Sequence, residues 1–437
     1  MHKICLTLPT NRACAATISA IGEEAAYAAT HFDVEVHLLI LDSCEESAFA
    51  IHAKAVEATP ATPNVIVHHL DEAAQRNFLR RVVDRSGVDR PDLFLDLMLP
   101  AAVSYGACTN RAFLIAAALG CASVHRRDSD SNYQTLDGQP VFPIHHELTS
   151  LGKRARDAAS GVSETVLDPA HADKPVVLAG SSFVGELSVD IGEIQRLDPE
   201  AYFDIVSLWA PPEWSPEKKR RLVEESFTGA GTDPFVRDHS TLTIVDPMRL
   251  DMCNISFRHE VYERVPLPPA TDTIGSDYFL MHLVHDARLP GVLHNRNIVN
   301  FYTEERRTDS GFVAYQLRLT KFFLSMLYFN AVYAEMATAG AALLDAEQRL
   351  RPAAVAELAR AAARSDRAEN VHRLRSLDRS YRSLGGRYAA FADTLAARGP
   401  RLLDEAQADI EDFALLIEAW AALIHASKAT SVHEPHR

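Results

Sequence analysis

Residues 3–42 read KICLTLPTNRACAATISAIGEEAAYAATHFDVEVHLLILD. Residues 3–8 form a short apolar run that stops at Pro9-Thr10-Asn11, which predicts a strand leading into a loop. Residues 15–30 are rich in alanine and predict a helix. Residues 34–41 are apolar almost throughout and end at Asp42, which predicts a second strand. Strand, helix and strand in succession make a βαβ unit. The alternation then continues. Residues 50–57 predict a helix, 65–69 a third strand and 72–85 a third helix. Residues 93–99 suit either a strand or a short helix. Residues 110–119 predict a helix closed by Gly120. Residues 122–125 predict a short strand running into Arg126-Arg127-Asp128-Ser129-Asp130. This order predicts an α/β fold with a mostly parallel sheet between helices. Ligands of such sheets bind beyond the carboxyl ends of the strands, so the loops after Leu8, Leu41 and His125 are where a site is expected.

Farther along the pattern changes. Residues 131–175 are poorer in periodicity, carry the turn signal Asp137-Gly138, and predict a lid or a connector. Residues 176–178 and 205–208 predict further strands, and 211–240 a loop, a helix and a loop. From about residue 320 only helical patterns remain. Val371, Leu374, Leu377, Tyr381, Leu384, Tyr388, Phe391 and Leu395 recur at steps of three and four, as do Ile410, Phe413, Ile417, Trp420 and Ile424. Gly399-Pro400 predicts a break between these helices. The expected division is residues 1–320 and a helical domain over 321–437. That domain is expected to be a packing appendage, with a homo-oligomer built through its helices as the alternative.

Composition narrows the partners. The 437 residues include 59 Asp+Glu against 44 Lys+Arg, a formal charge of −15. At roughly 150 residues per domain this length suits two or three domains, or one large domain with an appendage. The acidity argues against nucleic acid and against an anionic membrane surface. No uncharged apolar run reaches the roughly 18 residues of a membrane span, and the first residues are too weakly apolar for a signal peptide. Six cysteines without a CxxC pair predict free thiols and a cytoplasmic location rather than a zinc site. His68-His69 and His145-His146 lack helical ligand spacing, Ser181-Ser182 lacks the nucleophile-elbow pattern, and neither G-x-G-x-x-G nor a P-loop is present.

The strongest chemical signal is Asp128-Ser129-Asp130 directly after a strand. Two carboxylates so placed share one hard divalent cation, Mn²⁺ or Mg²⁺, and leave coordination positions open for phosphate oxygens. Arginine beside them suits the same phosphates.

The order of these features resembles the donor-binding half of family-two-like GT-A glycosyltransferases. In that family a helix bearing Gly, Asn and Arg, here Gly106 to Ala112, precedes a strand and a DxD motif. The resemblance covers about residues 1–305. It implies a Rossmann-like GT-A domain over 1–320, with 1–130 as its nucleotide-binding half and 176–305 as its sugar and acceptor half. The helical end resembles mannosylglycerate-synthase-like members in architecture. Residue by residue, it implies nucleotide contacts at Pro9, Thr10, Asn11 and Arg12, and at Asp42 near the base or ribose. It implies donor contacts at Asn110, Arg111 and Arg127. Asn254, in the segment 251–258, would lie beneath the transferred sugar, with Cys253 where the family usually has Gly. Asp277, in Gly275-Ser276-Asp277-Tyr278, would lie near the reaction centre. Asp128 and Asp130 would hold the metal, and either His294 or Asn300 occupies the position of the family's last metal ligand.

The expected function is therefore a metal-dependent glycosyltransferase of hexosyltransferase type. It would move a sugar from a nucleotide-diphosphate sugar to a small soluble acceptor, in secondary metabolism. Asp277 would deprotonate the acceptor hydroxyl if the reaction inverts configuration, or bind the sugar or acceptor if it retains it. Two alternatives are a sugar-phosphate nucleotidyltransferase, whose first loop is normally glycine-rich, and a non-catalytic nucleotide-sugar-binding scaffold protein.

Overall fold

The structure, a computed structural model, describes residues 1–187 and 191–433. The opening βαβ unit is present as the strand His2–Thr10, the helix Ala15–His31 and the strand Val34–Asp42. The two strands run parallel in register from His2 opposite Val34 to Thr10 opposite Asp42. They lie in a nine-stranded sheet ordered Val65–Leu70, Val34–Asp42, His2–Thr10, Ser123–Arg127, Asn254–Arg258, Leu178–Gly180, Gly291–His294, Ser240–Thr243 and Glu164–Thr165. Five of its pairings are parallel and three antiparallel. The fold class is thus α/β, a mostly parallel mixed sheet between helices followed by an all-helical segment.

Alternation along the strands sends successive side chains to opposite faces. Ile4, Leu6 and Leu8 pack with Ile18 and Ile21 of the first helix. Cys5, between them, joins the larger cluster with Phe113, Phe257 and Phe279. That cluster continues without interruption into Tyr381, Phe413 and Trp420 of the C-terminal helices. The Trp420 indole N–H donates to the carbonyl of Tyr262 at 2.8 Å.

Several expectations are corrected. The helical stripe over 371–424 is covered by the chain itself. Tyr381, Tyr388, Phe391, Leu395, Ile410, Phe413, Ile417, Trp420 and Ile424 are all buried, so these side chains are not available to a second copy. The boundary at 320/321 falls inside the helix Asp309–Ala339. Gly399-Pro400 does not break the chain but lies within the helix Gly386–Lys428. A Cβ on Gly399 would stand 3.3 Å from Leu374 Cδ1, so the glycine marks a close helix crossing rather than a turn. Residues 205–208 are not a strand. They end the helix Pro199–Val206, which Pro199 starts and the Asp198 side chain caps by accepting from the N–H groups of Glu200 and Ala201. Residues 93–99 resolve as a helix, Pro91–Met98. The 131–175 stretch holds a small hairpin turning at Asp137-Gly138, both at positive φ, and the helix Ile144–Ser150. No helix is long and apolar enough to cross a membrane among the described residues.

Sheet register decides where the site forms. Thr10 and Asp42 end adjacent parallel strands, and Thr7 stands opposite Arg126. The antiparallel strand Asn254–Arg258 begins beside Arg127. Its leading loop, residues 251–253, therefore meets the carboxyl ends of the first and fourth strands.

Candidate active site

A cleft of about 300 Å³ opens at this junction. Its walls include Thr10 and Arg12 after the first strand, Asp128 and Asp130 after the fourth, and Asp251 before the antiparallel strand. Tyr105 at a helix start, Asp277, Asn300 and Arg306 complete it. Local chemistry fixes these walls. The Thr10 hydroxyl accepts from the Arg12 N–H at 3.2 Å and donates to the Arg12 carbonyl at 2.9 Å, a tight turn that sets where Arg12 leaves the loop. The helix Tyr105–Leu119 starts at Ser104, whose hydroxyl accepts from the Ala107 N–H and donates to the Pro269 carbonyl. Gly106 is required there, because a Cβ would meet the Pro268 carbonyl oxygen at 1.9 Å.

The electrostatics are crowded. Arg126 is buried and reaches Asp128 at 3.0 Å and Asp277 at 2.6 Å. It also donates to the Met252 carbonyl. Arg12 and Arg306 both pair with Asp130, at 3.0 Å and 2.8 Å. The Tyr278 hydroxyl donates to Asp251 at 3.0 Å. Burial pushes the Asp128 carboxyl up; Arg126 opposes this, while Asp130, Asp251 and Asp277 add to it, and the result is about 7. Burial likewise raises Asp277, against the pull of Arg126. Burial and like charge from three neighbouring aspartates thus leave Asp128 near neutrality at pH 7, although no three of these carboxylates are compact enough to hold an ion by themselves. The chemistry of Asp128 and Asp130, two carboxylates two residues apart at a strand end, fits a hard divalent cation, which these two residues would hold.

Not every expected residue faces this cleft. Pro9, Thr10, Asn11, Arg12, Arg111, Asp128, Asp130 and Asp277 line it, and so does Asn300. Arg111 does so with its Nε donating to Gln75 and its Nη1 to the Met98 carbonyl. Five residues are internal instead. Arg127 is turned to the other face of its strand, where it binds Glu24 through two nitrogens at 2.8 and 3.0 Å and Glu147 at 3.1 Å. Asn110 exchanges two hydrogen bonds with the backbone of Leu267. Asn254 donates to the carbonyls of Ser182 and Arg296. His294 is buried, stacks on His146 and stands 4.0 Å from Glu147, away from Asp128 and Asp130. Asp42 is buried and accepts from His52, His69 and the Cys44 N–H. Burial raises its carboxyl, but these hydrogen bonds outweigh burial and hold it well below the ordinary range.

Asp42, His52 and His69 are also the one His/Cys/Asp/Glu group compact enough for an ion among the described residues. Hydrogen bonding assigns them a different role. The Cys14 N–H donates to His52 Nε2 at 2.9 Å, so a neutral His52 carries its proton on Nδ1 and donates it to Asp42 at 2.7 Å. That nitrogen has no lone pair to offer a metal. The triad ties the loop bearing Arg12 to the end of the second strand. Tyr105 and Tyr315 line the cleft with no role read from the sequence, Asp251 opens the segment 251–258, and the run 304–307 that holds Arg306 reads either as a solvated helix start or as a lid contacting phosphate. Arg306 lies in a mixed charge run, 304–307, with no local feature to separate it from a solvated turn.

Residues 2–436 match the model of a family described as a family of unknown function (DUF6271). No curated protein matches the chain. Among solved structures, it is similar to mannosyltransferase PcManGT from Pyrobaculum calidifontis, in complex with GDP-Man and Mn²⁺. The identity is 13%, the TM-score 0.35, and the match covers 95% of this chain and 86% of that one. It is also similar to S. aureus TarS 1-349, at 11% identity and TM-score 0.35, covering 96% of this chain and 91% of that one. The TarS complex with UDP-GlcNAc matches at 13% identity and TM-score 0.33, covering 94% and 90%. With a family match that runs almost from end to end, the chain belongs to the family of unknown function DUF6271.

Proposed function

We propose that the protein is a GT-A-like glycosyltransferase that takes a hexose from a nucleotide-diphosphate sugar and transfers it to a small soluble acceptor. The single observation that carries this reading is the Arg126 bridge. One buried guanidinium joins Asp128, on the donor side, to Asp277, on the side where the acceptor would enter. Arg12, Arg126 and Arg306 surround the space for the diphosphate, and their N–H groups offset charge on the departing nucleoside diphosphate. A divalent cation on Asp128 and Asp130 would supply further positive charge to that leaving group. Asp277 is oriented by Arg126 and takes the proton from the acceptor hydroxyl; its raised proton affinity suits a general base. Secondary metabolism, a cytoplasmic setting and Mn²⁺ or Mg²⁺ as the ion belong to the same proposal. The unpaired state of all six cysteines supports the compartment.

The test is turnover of a panel of sugar nucleotides by wild type and the double variant Asp128→Asn/Asp130→Asn. Wild type is expected to release nucleoside diphosphate from at least one donor in a Mn²⁺-dependent way. The double variant is expected to lose roughly 10²-fold or more of that rate. Equal rates and equal metal dependence in the two proteins would remove this site assignment. Release of pyrophosphate from a nucleoside triphosphate and a sugar phosphate would favour the nucleotidyltransferase alternative instead.

A further inference from the structure

Asp130 is 5% exposed, and its Oδ2 receives two guanidinium groups. They come from opposite ends of the catalytic fold. Arg12 lies in the loop after the first strand, and Arg306 in the turn Glu304–Arg307 that leads into the helix Asp309–Ala339. The turn is fastened over the cleft. The Phe301 N–H donates to the Asp130 carbonyl at 3.1 Å, the Tyr302 hydroxyl donates to the Arg306 carbonyl at 3.0 Å, and Glu305 faces Arg12 Nε at 3.3 Å. Arg306 is only 8% exposed, yet its Nη1 has no hydrogen-bond partner among the described residues, while Arg12 Nε has the Glu305 carboxylate at 3.3 Å but outside hydrogen-bond geometry. Buried donors without partners are unfavourable, and an anion in the cleft would satisfy them.

A cation and these two arginines compete for the same carboxylate. We infer that Arg12 and Arg306 form an exchange pair: they hold Asp130 until a divalent cation takes it, and then pass to the diphosphate of the donor. The inference rests on the nucleotide-sugar reading of the cleft. Its consequence is a coupling between ligands. A cation binding alone displaces two guanidinium groups from Asp130, leaving Arg12 only Glu305 and Arg306 without a carboxylate. A diphosphate binding alone draws the arginines off a buried carboxylate. Bound together, each ligand supplies the partner that the other removes. The coupling is reciprocal, so either ligand tightens the other by the same factor.

The signs of variant effects separate this from ordinary ligand contact. Losing a simple phosphate contact weakens diphosphate binding and leaves the cation alone. Losing one member of an exchange pair also tightens the cation. Losing Asp130 weakens the cation yet tightens the metal-free diphosphate. Mn²⁺ binding is measured from the free-ion paramagnetic resonance signal, and GDP and UDP binding by calorimetry, on full-length wild type, Arg12→Gln, Arg306→Gln and Asp130→Asn. In wild type, GDP or UDP is expected to tighten Mn²⁺ by roughly tenfold or more. Arg306→Gln is expected to bind Mn²⁺ alone several-fold more tightly, with a coupling smaller than that of wild type. Asp130→Asn is expected to bind metal-free GDP or UDP more tightly than wild type. Should Arg306→Gln fail to fold, Arg12→Gln and Asp130→Asn test the same two signs. Unchanged or weaker Mn²⁺ affinity in the arginine variants, or weaker metal-free diphosphate binding by Asp130→Asn, overturns the exchange. If GDP or UDP binds wild type but these signs fail, only the exchange is lost. If neither binds wild type under any condition, the glycosyltransferase reading falls and the exchange with it.

Discussion

Arg126 and Arg127 are neighbours on one strand, both buried, and they serve opposite ends. Arg127 lies in a network that carries its own counter-charges, although Glu147 Oε1 is left without a hydrogen bond. Glu24 accepts from Arg127, from the Tyr133 hydroxyl at 2.6 Å and from the Ile144 N–H at 3.0 Å, while Glu147 accepts from Arg127 and from His125 at 2.6 Å. Burial raises the Glu147 carboxyl, but Arg127 first, and His125 after it, pull it down to about 2. Arg126 lies in an unfinished network, with Asp128, Asp130, Asp251 and Asp277 crowded around few cations. There burial and like charge carry Asp128 up to about 7. The difference teaches what marks a binding site in a buried polar interior. A structural network supplies its own counter-charges, here enough to hold Glu147 ionised. A ligand site holds charges that only the ligand completes, and so stores unfavourable electrostatics in the free protein.

The largest expected effect separates the two arginines by stability. Arg127→Met leaves Glu24 and Glu147 buried without their cation and is expected to cost about 3–5 kcal/mol in urea unfolding. Arg126→Met is expected to cost less, because its carboxylates can take up protons, while transfer activity falls roughly 10²-fold. Equal destabilisation by both would break the comparison. Next in size, Asp128→Asn is expected to stabilise the metal-free protein at pH 8 by about 1–4 kcal/mol, read as a higher urea midpoint.

The smallest effects are the pH slopes, which have opposite signs. Glu147 is lowered on folding from 4.5, so its contribution is complete above that value and is lost as pH falls toward 2. Asp128 is raised on folding from 3.8, so the folded state binds the extra proton. Its contribution is complete below 3.8 and is lost as pH rises through about 7. Subtracting the unfolding profiles of Glu147→Gln and Asp128→Asn from that of wild type should give curves bending in opposite directions. Curves bending the same way would remove the distinction between the two networks.

The same pair explains what was legible in the sequence. The βαβ opening and the strand before Asp128 were readable because local periodicity encodes them. That Asp128, Asp130 and Asp277 meet in one cleft was legible in so far as family motifs mark them in short windows. Which face of a strand a residue takes is harder, since one position reverses it. Arg126 and Arg127 both suited the ligand by sequence, but only Arg126 lines the cleft. Asn254 and His294 were misplaced where their strands turn polar atoms inward to backbone carbonyls and a buried acid. Asp42 is consumed by His52 and His69, which folding brings from other elements. Arg306 was ambiguous for the same reason: the run 304–307 suits a solvated helix start or a lid contacting phosphate, and only tertiary folding brings residue 306 to residue 130.

The central claim is that the cleft around Asp128 and Asp130 binds a nucleoside diphosphate together with a divalent cation. The most direct test is the melting temperature of the full-length protein with UDP, GDP, ADP and CDP in turn, each with and without Mn²⁺, repeated on Asp128→Asn/Asp130→Asn. The expected result is a rise with at least one diphosphate that is larger with Mn²⁺ than without, and a Mn²⁺-dependent part that vanishes in the double variant. No rise with any of the four, or a Mn²⁺-dependent rise that survives unchanged in the double variant, would contradict it.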